Sequence, residues 1–163
     1  MSRFAILFTC LRGSARLCSS ACLRSIVLVA LTGFSGAVWA QNAYQPTKAD
    51  WNSIRKIIQA QVDAFRRDKG ELAFSYAAPP IREHFKTAEN FMRVVKTSYH
   101  AVYRPASMAF IDASVDAGTP IQVVQFSDAD GAVWIGFYSM QRQPDKSWKI
   151  NGCQLVPGKA VST

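Results

Sequence analysis

Histidine is scarce in this sequence of 163 residues: His84 and His100 stand alone, and neither has a second His, Asp or Cys at the spacing a metal ion requires. No metal site is expected, and no motif asks for a cofactor. Cysteine is almost as rare. Cys10, Cys18 and Cys22 fall within the first 40 residues, and Cys153 is the one cysteine beyond them. A chain without those 40 residues has no intrachain disulfide. Cys153 lies in the strand-like WKINGCQLVP and is read as a buried side chain, the other outcome for a lone thiol being an intermolecular bridge. The nucleophile elbow Gly-x-Ser-x-Gly and the phosphate-cradling glycine loop are both missing, which removes two signatures of acyl-transfer and nucleotide chemistry. Missing too is any stripe of Lys and Arg interleaved with aromatics, so no nucleic-acid partner is expected.

Acidic residues are absent from the first 40 positions, which hold Arg3, Arg12, Arg16 and Arg24 and then the apolar run Ser25 to Ala40. A basic stretch, a short apolar core and the small residue Ala40 make the pattern of a secretory signal peptide cleaved after Ala40. The interruptions Gly33, Ser35 and Gly36 leave the run short of the ~20 apolar residues a membrane span needs. The expected organisation is residues 1–40 as a cleaved leader and residues 41–163 as a single domain in the periplasm or outside the cell, with no stable membrane span after cleavage. Removing the leader takes 19 − 4 = 15 basic residues against 11 acidic ones, so the net charge falls from +8 to +4. Half of the apparent basicity belongs to the leader.

Beyond the leader the periodicity is first helical. Trp51, Ile54, Ile58, Val62 and Phe65 recur at spacings of three and four and predict one long amphipathic helix, with Thr47 as N-cap, Asp50 completing a capping box, and Gly70 as its stop. A short helix over ELAFSYA ends at Pro79 and Pro80, which start another turn through IREHF. A third, over Ala88 to His100, has Thr87 as N-cap and turns Phe91, Val94, Val95 and Tyr99 inward. Pro105 stops it. The period then changes to alternation in SMAFIDASVDA, PIQVVQFSD, AVWIGFYSMQRQ and SWKINGCQLV, separated by turn-forming DAGTP, SDADG and RQPDKS. Helices first and a meander second predict an α+β domain, N-terminal helices packed on a curved antiparallel sheet of four or more strands. DADG is read as a hairpin turn, because the remaining ligands of a calcium loop do not follow it.

The segments IIQAQVDAFRRDKGELAFSYAAPPIREHF, AENFMRVVKTSYHAVYRP and GFYSMQRQPDKSWKINGCQLVP resemble the bacterial domain of unknown function 4864, a family of small, mostly exported proteins, from about Ile54 to Pro157. That family in turn is similar to the nuclear transport factor 2-like, cystatin-like roll. The resemblance implies a pocket between helices and sheet, and it implies no activity, since a fold does not fix a function.

Such a pocket draws its polar groups from Tyr99, His100, Tyr103 and Arg104 in SYHAVYRP and from Gln125, Trp134, Tyr138 and Asn151 on the strands. Tyr99, Tyr103, Arg104, Gln125, Trp134 and Tyr138 are the candidate ligand-binding residues; no residue is assigned a catalytic role. A competing role for Arg104 is to tie the helix–sheet seam to an acidic residue such as Asp112, Glu83 or Glu89. His100 is read as a solvated helix-end residue, where a cation is favoured. In VWIGFYSM both alternating faces carry large side chains, which predicts that helices cover one face and a second copy of the chain the other. Three functions fit: non-catalytic binding of a small ligand or a protein in the roll pocket, a small hydrolase- or isomerase-type enzyme, or a dimeric structural subunit.

Overall fold

The computed structural model describes residues 44–158, so residues 1–40, expected to be a leader, lie outside the described residues. Helix α1 spans Lys48–Arg66 and begins with the expected capping box: the Thr47 hydroxyl accepts from the Asp50 N–H, and the Asp50 carboxylate accepts from the Thr47 N–H. Its buried stripe is Ile54, Ile58, Val62, Ala64 and Phe65, and full burial of each large member is worth ~1.5–3 kcal/mol.

The C-terminus of α1 departs from expectation. Gly70 is not its stop. Asp68 takes the left-handed conformation at φ 53°. The Asp68 N–H then donates to the Phe65 carbonyl and the Lys69 N–H to the Ala64 carbonyl, closing a Schellman motif. Gly70 instead opens α2 (Gly70–Ser75), and a Cβ there would stand 3.0 Å from Met92 Cγ. Its smallness lets α2 lie close to the later helix α4.

Helix α3 spans Pro79–Phe85 with the two prolines in its first turn, where missing N–H groups cost nothing. Between α2 and α3 the chain runs beside the last strand: the Ile150 N–H donates to the Tyr76 carbonyl and the Ala78 N–H to the Ile150 carbonyl. Helix α4 (Ala88–Ser98) is capped by the Thr87 hydroxyl, and α5 (His100–Tyr103) follows. The helix expected to run through His100 is thus broken at Tyr99, at φ −126° and ψ 41°.

The strands are β1 (Ser107–Asp116), β2 (Thr119–Ser127), β3 (Val133–Arg142) and β4 (Trp148–Pro157), an antiparallel meander in the order β1-β2-β3-β4. The domain is α+β, with helices packed on an open four-stranded sheet. Register places Phe126, Val124 and Gln122 of β2 beside Trp134, Gly136 and Tyr138 of β3, and all of these face the helices. Register shifts twice, past Ile111 in β1 and past Ser139 opposite β4. The first shift has a visible device. Gln122, fully buried, donates from its side-chain amide to the Asp112 carbonyl at 2.5 Å, next to the shift.

The opposite sheet face carries Ile121, Val123, Ile135 and Phe137 on its two central strands, and Phe137 is 39% exposed. No described helix of the chain is long and apolar enough to cross a membrane.

Candidate functional site

The core is divided by a cavity of about 110 Å³ between helices and sheet. One wall is aromatic. Phe91 of α4 stands with its ring centre 6.0 Å from Phe65, 5.3 Å from Phe74 and 5.4 Å from Phe85. Ile81, Val94, Val95 and Val102 complete the helical side; Tyr138, Ile150, Gly152 and Cys153 form the sheet side. Helical spacing on α4 and parity on β3 bring these side chains to one place, and the break at Tyr99 turns its ring into the same space.

Four side chains lining the cavity carry hydrogen-bond donors. Gln61 donates its amide to the Ala73 carbonyl at 3.1 Å, and the Tyr99 hydroxyl donates to the Cys153 carbonyl at 3.1 Å. Cys153 is half-buried, and desolvation of its thiol pushes the pKa up to about 12. Tyr138 differs from Gln61 and Tyr99: its hydroxyl is buried and has no hydrogen-bond partner among the described residues. The thiol lies beside it without reaching hydrogen-bonding geometry. Burial first, then the neighbouring Cys153, push the Tyr138 phenol well above its ordinary range, and burial raises Tyr99 as well. At neutral pH all three stay protonated, so none of them is a general base there.

Of the six candidate residues, Tyr99 and Tyr138 line this cavity. Tyr103 and Arg104 lie outside it, where Asp68 gathers them. The Tyr103 hydroxyl donates to Asp68 Oδ1, the Arg104 guanidinium to Oδ2 at 2.5 Å, and Lys96 Nζ stands 3.2 Å from Oδ1. The expected acidic partner of Arg104 among Asp112, Glu83 and Glu89 is therefore replaced by Asp68. These donors, Tyr103 first, hold the Asp68 carboxyl down to about 2. Trp134 faces the helices at the far end of the sheet, donating from Nε1 to Asp128 at 3.1 Å and meeting the exposed His100 ring edge-on at 5.0 Å. Asp128 also accepts from the Asp130 and Ala132 N–H groups, which makes SDADG a hairpin turn. Gln125 pairs with Ala109 and Ile135 on the opposite face. Asn151 lies at the register shift of β4.

Gln61, Phe91 and Cys153 line the cavity without having been singled out for it. A helical stripe reads as core in a sequence, and only the three-dimensional gap distinguishes lining from filling. Among the described residues no group of three or more side chains is placed to hold a metal ion.

Helices on an open antiparallel sheet, with an apolar cavity between them and neutral polar groups in its wall, define a small α+β domain with an internal cavity. The chain belongs to the family described as a domain of unknown function, DUF4864, whose match covers residues 47–163. No curated protein and no solved structure matches the chain.

Proposed function

We propose that this chain is an exported, non-catalytic binding domain of the cystatin-like roll type that holds a small, mostly apolar ligand between its helices and its sheet. The observation that carries the reading is the cavity itself. Its wall is largely Phe, Ile and Val, its ionisable groups are held neutral, and its size of about 110 Å³ suits one ring or a short chain. Export is supported by the basic and apolar leader, and the family match begins at residue 47, beyond it.

Native mass spectrometry of the chain, expressed full length and purified gently, tests both parts. The expected species has the mass of Gln41–Thr163 plus a reproducible small adduct. Retention of residues 1–40 overturns export. The binding reading is tested further by Val94→Phe, which places a ring in the cavity: extracted adduct should disappear while the fold persists, and an adduct unaffected by this change places the ligand elsewhere.

A second reading concerns the outer sheet face, which we assign to a second copy of this chain. The central strands present Ile121, Val123, Ile135 and Phe137 there, with Gln125 and Ser139 and no charged side chain. Charge stands at the edge of this face, with Asp112 beside Val123 and Asp116 beside Thr119 on β1, so two copies can meet over its uncharged centre without bringing like charges together. Light scattering of wild type and Phe137→Asp checks it: a dimer that becomes a monomer supports the interface, and a monomeric wild type overturns it.

A further inference from the structure

We propose that the cavity selects neutral ligands carrying a hydrogen-bond acceptor, such as a ketone or ester oxygen, and that the Tyr138 hydroxyl is the donor that recognises it. The assignment rests on the cavity being a binding site. Two of the four side-chain donors in the wall are already engaged, Gln61 with the Ala73 carbonyl and Tyr99 with the Cys153 carbonyl. A third, the Cys153 thiol, is a weak donor. Tyr138 alone combines a strong donor with a buried, unpartnered position. Buried hydroxyls are ordinarily hydrogen-bonded, and one that is not marks a place where a partner is missing.

The acceptor must arrive without a charge. Among the described residues no Asp, Glu, Lys or Arg lines the cavity, so a carboxylate or ammonium entering it would lose its hydration with no counter-ion in exchange. The volume sets the scale, since an apolar cavity of ~150 Å³ in another protein holds benzene. A five- or six-membered ring ketone is therefore the right order of size for this one. The Cys153 thiol lies near the phenol in the same wall of the cavity.

Protein-observed NMR titration of the purified chain with three probes of similar size tests this: cyclopentanone, methylcyclopentane and cyclopentanecarboxylate. Wild type should bind the ketone roughly tenfold more tightly than the hydrocarbon, the worth of one buried hydrogen bond, and should not bind the carboxylate. Tyr138→Phe should bind both uncharged probes with equal affinity, and its retained hydrocarbon binding shows that the cavity is intact. Cys153→Ala should bind the ketone at least as tightly as wild type. A ketone preference that survives Tyr138→Phe overturns the role of Tyr138 while leaving the cavity a binding site, as does carboxylate binding equal to that of the ketone for neutral selection. Failure of wild type to bind any of the three overturns the binding reading and this proposal with it.

Discussion

The seam at Asp68 and the cavity at Tyr138 each hold a tyrosine hydroxyl, and they treat it in opposite ways. At the seam the Tyr103 hydroxyl, the Arg104 guanidinium and the Lys96 ammonium all converge on one carboxylate at the surface. In the cavity Tyr138 has an equivalent hydroxyl, buried, with nothing among the described residues to donate to. The seam holds the residues that look most like chemistry in the sequence, yet its polar groups satisfy one another. The potential for recognition lies where satisfaction is incomplete.

The change that would disturb this contrast most is Phe91→Ala. Phe91 contacts three other phenylalanines and walls the cavity, so its truncation should cost ~3–5 kcal/mol in denaturant unfolding. A cost below about 1 kcal/mol would show that the wall collapses inward and that the cavity has no fixed shape. Next in size is Tyr138→Phe. Removing an unpartnered buried hydroxyl should raise stability by about 1 kcal/mol, whereas Tyr103→Phe at the seam should lower it. Equal signs for the two substitutions would erase the distinction between seam and cavity.

The smallest effect expected is electrostatic and depends on pH. Asp68 is exposed, so its ion pairs are screened by solvent and salt. Its folded pKa of about 2 lies below the unfolded value of ~3.9, so its contribution is complete above about pH 4 and is lost as pH falls through about 2. Asp68→Asn keeps a residue that tolerates the left-handed conformation and removes the charge. The stability difference between wild type and this variant should shrink toward zero on acidification from pH 5 to pH 2; a difference independent of pH would assign the role of Asp68 to backbone geometry alone.

The beginning of α1 was legible because the capping box is a local signal, complete within Thr47 to Asp50. Its end was not, because an Asp stands where a glycine is usual and is held there by residues about 30 positions later, Lys96, Tyr103 and Arg104. Alternation exposed the four strands but left their parity ambiguous. In PIQVVQFSD the apolar residues Val123 and Val124 are adjacent, and only the register shows that Val124 and Phe126 face the helices while Gln125 faces away. In β3 the inward row contains Gly136, where a Cβ would stand 3.0 Å from the Phe126 ring, so the outward Ile135 and Phe137 looked equally buried. Tyr99 and Tyr138 were legible as candidates. That one would be spent on a carbonyl and the other left free depends on the tertiary approach of Tyr99 to β4, which no spacing announces.

Asp50 caps α1 from within its own first turn, yet it also accepts from Trp148 Nε1 at 3.2 Å and from the Tyr44 hydroxyl at 2.6 Å. Trp148 opens the last strand, so during synthesis the partner of the first helix is made almost at the end. A chain emerging N-terminus first can wind α1, but β4, a strand on which it packs, is the last element to be added. The cap of the first helix thus gains its last partner only when the chain is nearly complete, which couples the two ends of the domain in sequence.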